Sequence, residues 1–477
     1  MKFLKIVLPI VFIFIAISCN KDFLEPQPIS AISEEGYFKT DEELESGILN
    51  MYDGIQGIND RNTSSNHSIQ YEFYLTEIRT DNTRGKGSVD SDADQAQFVN
   101  YNIRATNGIV ADYYRSMYNI IYRANVVLDN LDVASEANSA KFEGEAKFVR
   151  AYAYFNLVRL FGDVPLVEKV IAPLETEVSY TRVESSTIYK LIEDDLLTAV
   201  ANLDDNTKNR ASKAAAQALM AKVYLTLGEY SQAQTLCESI MNPARGFSLE
   251  SNFKDVFYSE GNDEVIFAIG YEPDLIKDSQ GFSSEWLNAV GYTAGVNYVT
   301  AEMREAFDQF GGERTLYSIR QDVIQPSEYQ VAKYIPNGDE NLGISPIASD
   351  PRLAGNDWIV IRYADVLLMH VEAILAGAEA TTSSNAIESF KEVRNRAGIT
   401  TEVTTITKED LLNERRVELA FENQRFFDLL RFGEAQNVLS AYSTENKYNF
   451  TSSDLLLPIP SSEINLSKGL LQQNPGY

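Results

Sequence analysis

The sequence predicts a mainly all-α fold in which tetratricopeptide-like helix pairs carry long irregular insertions. Three observations predict it: apolar residues spaced three and four apart in many segments, a ladder of small residues between Ser212 and Ala233, and two long stretches without helical spacing. Spacing of three and four places apolar side chains on one face of a helix. A chain of 477 residues is also long enough to bury a core without disulfides.

Helical spacing recurs in nine segments of the chain. In order, the predicted helices span residues 41–58, 110–132, 139–161, 185–203, 212–227, 229–241, 361–377, 384–397 and 407–432. The regularity breaks over about 59–109 and 243–358, which are rich in Gly, Asn, Asp, Ser and aromatic residues. Long irregular segments in a compact chain are usually functional, so we expect residues 41–477 to form one domain whose insertions bind a ligand.

The clearest helix pair lies between residues 212 and 233. Small residues at this spacing let paired helices approach closely, Gly228 ends the first helix, and Tyr230 begins the second. The residues that follow the pattern are Ser212, Ala215, Ala218, Ala221, Tyr224, Leu225, Gly228, Tyr230 and Ala233. A second pair is predicted from Tyr363 to Ala373 and from Ala386 to Ala397. Generic helix packing is the alternative interpretation of either pair.

Residues 1–18 have the pattern of a secretory signal peptide. Lys2 and Lys5 precede an apolar run over residues 6–17 that is too short to span a membrane, and a small residue comes directly before Cys19. A cysteine at this point is typical of lipidation, and several acyl chains anchor a protein stably. Residues 19–40 are then a polar, proline-bearing tether. A short membrane anchor, a buried helix, and cleavage that leaves a free thiol are the alternatives.

The charge balance limits the partners of the chain. Its 69 acidic and 41 basic residues give a net charge of −28, which repels nucleic-acid phosphates and anionic lipid surfaces. Hydrophobic residues make up 44% of the chain, so the acidic residues are expected on the surface of a packed core. Cys237 is the second of two cysteines, and acylation of Cys19 would leave it without a disulfide partner. We expect no nucleic-acid partner.

Motifs for metal or nucleotide chemistry are weak in this sequence. His67 and His370 lie far apart with no cysteine near either, which argues against a zinc site and against a histidine-dependent triad. No glycine-rich phosphate loop follows a strand pattern. The run from Asp90 to Asp94 alternates carboxylates, but Gln95 and Tyr101 stand where a calcium-binding EF-hand needs Gly and Glu. We expect no cofactor and no metal, with incidental calcium at this run left open.

The segment from Glu414 to Arg431 holds carboxyl groups at helical spacing, as a glycoside hydrolase would need. Arginines three and four residues away can pair with these carboxylates along one helix, and such pairing lowers a carboxyl pKa. A general acid needs the opposite shift. The predicted pairs are Arg415 with Glu418, Glu422 with Arg425, and Asp428 with Arg431. We interpret the segment as structural.

The stretch from Glu414 to Gly433 closely resembles the signature helix of the RagB/SusD family of nutrient-binding outer-membrane lipoproteins. Other stretches agree with that family in the same order along nearly the whole mature chain. They are Arg150 to Leu166, Ser212 to Ala233, Arg362 to Leu368, and Leu457 to Pro460 followed by Gln473 to Tyr477. The cysteine and tether at the N-terminus fit the same family.

This resemblance implies a SusD-like helical body whose insertions form the ligand-binding face. It implies a non-catalytic protein that binds a nutrient, in most members an oligosaccharide, and delivers it to a SusC-like TonB-dependent barrel. It also implies a lipid-anchored location at the outer membrane, facing the exterior of the cell.

A sugar-binding function requires particular residue types in the insertions. Sugar rings present flat apolar faces rimmed by hydroxyls, so they need exposed Trp or Tyr planes beside Asp, Asn and Arg. The predicted ligand-binding residues are Tyr71, Tyr74, Asp81, Asn82 and Arg84 in the first insertion, and Trp286, Tyr292 and Tyr298 in the second. Trp286 is the main candidate, whereas Trp358 precedes an apolar helix and is expected in the core.

Three other functions stay open at this point. A peptide-binding RagB-like uptake protein would use backbone edges and apolar pockets in place of an aromatic platform. A glycoside hydrolase would use Glu418 or Glu422 as its acid. A purely structural scaffold of helical repeats would bind no small ligand.

Overall fold

The computed structural model describes residues 37–59, 66–85, 93–171, 177–291 and 297–477. Within these ranges the chain is mainly helical, which confirms the predicted fold class. The helices are α1 Asp41–Gln56, α2 Ile69–Leu75, α3 Asp94–Val99, α4 Gly108–Asp129, α5 Ser139–Phe161, α6 Ser185–Asn202, α7 Lys213–Leu227, α8 Tyr230–Ile240, α9 Phe253–Tyr258, α10 Phe282–Glu285, α11 Ala301–Phe310, α12 Tyr363–Leu375, α13 Ser384–Arg396, α14 Lys408–Glu418, α15 Arg425–Arg431, α16 Ala435–Asn446 and α17 Ser461–Leu466.

Eight of the nine predicted helices are confirmed, with ends within a few residues of those expected. The ninth prediction, one helix over 407–432, is wrong because the helix is interrupted between α14 and α15. Phe421 and Asn423 lie there in the left-handed backbone region, with φ of 65° and 59°. A continuous right-handed helix cannot contain such residues. The break sends the charged side chains on its two sides toward different parts of the protein.

The helices form a scaffold in which neighbours in the chain pack against each other. Helices α4 to α8 pack in consecutive pairs, and α8 also packs against α12, which in turn packs against α13. The two predicted helix pairs, α7 with α8 and α12 with α13, therefore contact each other directly. Ser212 caps α7 by accepting a hydrogen bond from the Ala215 N–H at 3.1 Å, and Gly228 ends it with a left-handed φ of 76°.

Short strands form five pairs, and one of them, β1 with β5, joins the two insertions to each other. The strands are β1 Thr83–Gly85, β2 Val164–Pro165, β3 Arg182–Val183, β4 Val265–Ile269, β5 Asn297–Val299, β6 Ile319–Gln321, β7 Tyr329–Val331, β8 Trp358–Arg362, β9 Ala380–Thr381 and β10 Ile406–Thr407. They form antiparallel pairs, β1 with β5, β2 with β3, β4 with β8, β6 with β7, and β9 with β10. The insertions also contain α2, α3, α9 and α10, which are too short for helical spacing to reveal. They contain α11 as well, whose buried Met303, Ala306 and Phe307 follow helical spacing that the sequence analysis did not select.

Buried side chains form one large apolar core that reaches from Leu44 in α1 to Leu471 near the C-terminus. Trp358 is 4% exposed and its ring stacks on that of Tyr334 at 5.3 Å, which confirms the prediction that it is a core residue. Cys237 is buried in the same core as a free thiol, whereas Cys19 lies outside the described residues. None of the described helices is both long and apolar enough to cross a membrane.

Candidate ligand-binding site

Helix α2 in the first insertion carries two of the predicted residues, Tyr71 and Tyr74, and both contact Trp286 of the second insertion. The ring centroids of Tyr71 and Trp286 lie 5.7 Å apart, and those of Tyr74 and Trp286 lie 4.9 Å apart. His67 stacks on Tyr71 with a centroid distance of 4.0 Å and an angle of 6° between the rings. We call these four side chains the aromatic cluster. Two insertions that are distant in sequence meet there.

Trp286 is the centre of the aromatic cluster, but it is only 8% exposed. Its indole N–H donates a hydrogen bond to the backbone carbonyl of Gln70, which fixes the ring against α2. The expectation of an open tryptophan platform is therefore wrong, since α2 covers most of the indole. Tyr71 is half-buried and is the most accessible ring of the cluster. Trp286 meets that ring in a T-shaped contact, while His67 stacks on its face.

His67 belongs to the aromatic cluster although sequence analysis did not select it as a binding residue. Its Nδ1 lies 2.9 Å from a carboxylate oxygen of Asp112 in α4, and its backbone N–H donates to the same carboxylate at 3.1 Å. The contact holds the stacked pair of His67 and Tyr71 against the helical scaffold. No local pattern in the sequence pointed to it, since His67 precedes α2 and is held by Asp112 of α4, 45 residues further along the chain.

A second group of predicted residues is built on the pairing of β1 with β5. Arg84 lies opposite Tyr298 in this pair, and its guanidinium lies over the tyrosine ring at 4.9 Å from the centroid. Arg84 forms an ion pair with Glu328, and the Tyr298 hydroxyl lies 3.3 Å from the side-chain oxygen of Gln325. We call this group the Arg84–Tyr298 stack. The Arg84 side chain is 35% exposed, so its donors face solvent beside a polar rim.

Glu328 and Gln325, which complete this stack, were not predicted from the sequence. Both lie in the turn between β6 and β7, in a part of the second insertion without any helical or strand-like spacing. Their contribution depends on how the β6–β7 hairpin folds onto β5, which local sequence does not reveal.

Asp81 and Asn82 were predicted to contact the ligand, but the structure buries both side chains. Asp81 accepts two hydrogen bonds from Arg425, each of 2.9 Å, and pairs with Arg416 at 2.9 Å. Burial alone would raise the pKa of Asp81, but Arg416 and Arg425 outweigh it and hold the pKa well below its ordinary value. Asn82 accepts a hydrogen bond from Arg416 at 2.8 Å. These residues fasten the first insertion to the segment around α14 and α15.

Glu77 lies beside this ion-paired group on the buried side of the first insertion. It accepts hydrogen bonds from the Asn82 side chain at 2.7 Å and from the Phe421 backbone N–H at 3.3 Å. Burial raises the pKa of Glu77 to about 7. The insertion is thus anchored by polar contacts below its aromatic surface.

The two carboxylates considered for a glycoside hydrolase, Glu418 and Glu422, are both buried and ion-paired. Glu418 pairs with Arg314 at 2.5 Å, with Arg362 at 2.6 Å, and with Arg396. Burial alone would raise the pKa of Glu418, but these guanidinium groups hold the pKa well below its ordinary value. Glu422 pairs with Arg362 at 2.7 Å and with Lys333 at 2.6 Å. A carboxyl group with a lowered pKa, such as Glu418, holds no proton to donate to a glycosidic oxygen.

The pairing itself differs from the one predicted along a single helix. Asp428 with Arg431 is confirmed at 2.7 Å, but the other two predicted pairs are wrong. Arg415 pairs with Asp428 and Asp365, and Arg425 pairs with Asp81. For Glu422 and Arg425 the reason is the interruption of the helix before α15. Arg415 and Glu418 share α14, but each side chain pairs with groups on distant elements instead.

The described residues contain no group of three or more His, Cys, Asp or Glu side chains placed to hold a metal ion. His370 is buried, with Nδ1 2.9 Å from the Ser389 hydroxyl, as expected for a core histidine. Asp90 to Asp92 of the alternating acidic run lie outside the described residues. So does Tyr292, one of the predicted binding residues. Asp94, at the end of the run, accepts a hydrogen bond from the Gly108 N–H at 2.8 Å.

Two protein-family models match this chain. The one described as the SusD family matches residues 325–477, and the one described as starch-binding associating with outer membrane matches residues 22–225. SusD-like protein P2 of Formosa agariphila is 26% identical, and the alignment covers 98% of each chain. The starch-binding protein SusD of Bacteroides thetaiotaomicron is 24% identical over 96% of each chain.

Solved structures have the same fold. A laminarin-binding SusD-like protein is 26% identical with a TM-score of 0.75, and the match covers 92% of this chain and 100% of that one. Surface glycan-binding protein A from Bacteroides thetaiotaomicron, in complex with laminarihexaose, is 22% identical with a TM-score of 0.75 over 91% of this chain and 99% of that one.

Proposed function

Since the chain belongs to the SusD family, we propose that it is a non-catalytic glycan-binding protein of the cell surface. It binds an oligosaccharide on the face built by its two insertions. The proposed contact residues are Tyr71 and Arg84, supported by Trp286, Tyr74 and Tyr298, with Tyr292 as a further candidate.

The observation that carries this proposal is the meeting of the two insertions at aromatic rings. The half-buried ring of Tyr71 packs edge-to-face against Trp286, and Arg84 lies over Tyr298 with 35% of its side chain exposed. An aromatic plane beside charged donors suits a sugar, which offers an apolar face and a rim of hydroxyls. A protein that is 26% identical and is described as laminarin-binding supports the same ligand class.

Non-catalytic binding is supported by the state of the carboxylates around α14. Glu414, Glu418 and Glu422 are each buried and paired with arginine or lysine, so they serve the fold. Two alternatives from the sequence remain, peptide binding and a purely structural scaffold, and the described residues offer no comparable feature in favour of either.

Calorimetric titration of the full chain in detergent solution tests the ligand class. We expect heat of binding with laminarihexaose or maltoheptaose, and none with a panel of unrelated hexapeptides. Binding to peptides alone would replace the glycan proposal with the peptide-binding alternative. Release of reducing ends from either sugar, abolished in Glu418→Gln, would show an enzyme and contradict the proposal.

The same proposal includes delivery of the ligand to a SusC-like TonB-dependent barrel, with the chain anchored through lipid at Cys19. The description of a matching family as associated with the outer membrane supports this location. The polar tether over residues 19–40 would hold the acidic body away from the lipid surface.

Fractionation of cells that express the chain tests the anchor and the partner together. We expect the parent chain in the outer-membrane fraction, and the Cys19→Ala variant in the soluble fraction, because the variant lacks the acylated thiol. Affinity purification of the parent from detergent-solubilised membranes is expected to recover a β-barrel protein. An unchanged membrane fraction for Cys19→Ala would contradict the anchor, and recovery without a barrel would contradict the partner.

A further inference from the structure

A cleft of about 890 Å³ opens in the second insertion, between α9, α11 and the short helical turn over Gly312–Tyr317. We propose that this cleft is a second saccharide-binding site, separate from the aromatic cluster. The ligand class rests on the proposed function, whereas the location rests on the cleft alone. We call it the Tyr329 cleft, and the residues that matter for the argument are Phe253, Lys254, Arg304, Asp308, Tyr317 and Tyr329.

The volume of the Tyr329 cleft fits a sugar ligand. Pockets for small ligands typically enclose about 300–1,000 Å³. The Tyr329 cleft is severalfold larger than three other cavities lined by described residues, which enclose about 270, 240 and 30 Å³. It therefore has room for more than one sugar ring.

The chemistry of the walls combines aromatic rings with charged groups. Tyr317 and Tyr329 are half-buried against the core, and Phe253 is buried beneath them. Lys254 is half-exposed and Asp308 is exposed at the rim. Rings that cover an apolar face, next to charged groups that bind hydroxyls, are what a sugar requires and what a lipid or an apolar ligand does not.

Arg304 is the main polar group of the cleft. Its guanidinium lies 4.8 Å from the centroid of the Tyr329 ring. Among the described residues, its single side-chain hydrogen bond runs from Nε to the Thr300 carbonyl at 3.4 Å, which leaves both Nη groups available. The placement repeats that of Arg84 over Tyr298, at 4.9 Å. An arginine stacked on a tyrosine therefore occurs in both places.

The floor of the cleft is rigid because it is continuous with the buried ion pairs. Arg314 lines the cleft and pairs with Glu414 at 2.6 Å and with Glu418 at 2.5 Å. Arg396 also lines it and pairs with Glu264 at 2.9 Å. A preorganised floor lowers the entropic cost of binding.

The Tyr329 cleft and the Arg84–Tyr298 stack share the β6–β7 hairpin. Tyr329 begins β7 and lines the cleft, and the preceding turn residue, Glu328, pairs with Arg84. Adjacent residues of this hairpin thus contribute to the two sites.

Calorimetry of the full chain with laminarihexaose and maltoheptaose tests the second site. We expect two binding events in the parent chain. The double variant Arg304→Ala, Asp308→Ala is expected to weaken one event by about tenfold, because it removes charge-assisted hydrogen bonds. Tyr71→Ala is expected to weaken the other. Glu305→Ala, an exposed neighbour on the same helix, is the matched control and is expected to change neither.

Circular dichroism of each variant establishes that the fold is retained, since both substituted side chains lie at the surface of α11. A single binding event that responds to Tyr71→Ala and not to the double variant would overturn the second site and leave the proposed function intact. An absence of binding to either sugar in the parent would overturn both.

Discussion

Replacement of Arg362 by Met is expected to lower the free energy of unfolding by about 3–5 kcal/mol, the usual cost of removing one partner of a buried ion pair. The Arg362 side chain is 1% exposed and pairs with Glu264 at 2.7 Å, Glu418 at 2.6 Å and Glu422 at 2.7 Å. Methionine fills much of the volume of the arginine side chain, but each of the three buried carboxylates loses one of its cationic partners. Urea unfolding followed by circular dichroism measures the loss.

The Arg352→Met variant is the control, because Arg352 is 63% exposed and pairs with a single surface carboxylate, Asp350. We expect no measurable change there. In Arg362→Met the loss should shrink as the pH falls from 7 toward 4. Loss of the cation raises the folded-state pKa of Glu418, so protonation relieves the penalty at low pH. An equal loss in the two variants, or a loss independent of pH, would contradict the role assigned to the buried ion pairs.

Replacement of Trp286 by Ala is expected to remove about 3–5 kcal/mol of stability and to weaken glycan binding by at least about tenfold. The indole packs against Tyr71 and Tyr74 and donates to the Gln70 carbonyl, so its loss leaves a cavity and an unpaired acceptor. The ring of Tyr71 then loses the support that fixes its orientation. Calorimetry with laminarihexaose and maltoheptaose measures the affinity, and urea unfolding measures the stability.

Two variants separate a binding defect from general destabilisation. Trp358→Ala removes a core indole of similar burial, and we expect comparable loss of stability with glycan affinity retained in the folded protein. Tyr71→Ala removes a half-buried ring, and we expect loss of affinity with a smaller loss of stability. Affinity that survives in both Trp286→Ala and Tyr71→Ala would mean that the ligand binds elsewhere.

The helical scaffold could be predicted from the sequence because its signals are local. Apolar spacing and the small residues between Ser212 and Ala233 depend on neighbours within one or two turns, and so do the end signals at Ser212 and Gly228. The interruption between α14 and α15 was not predicted, because Phe421 and Asn423 adopt left-handed backbone and no glycine or proline between the two helices indicates it. Long-range ion pairs of the charged residues before and after this interruption stabilise its backbone conformation.

The candidate site, too, could be predicted from the sequence only in part. Sequence composition identified the aromatic and charged residue types of the insertions, and with them Tyr71, Arg84, Trp286 and Tyr298. It could not tell that α2 would cover Trp286, that Asp81 would turn inward to Arg425, or that Glu328 would meet Arg84. Each of these contacts joins residues more than 200 positions apart. Local residue types determined what the insertions could contact, and only the tertiary structure decided which side chains became buried supports and which stayed accessible, because burial depends on the distant segment that packs on top.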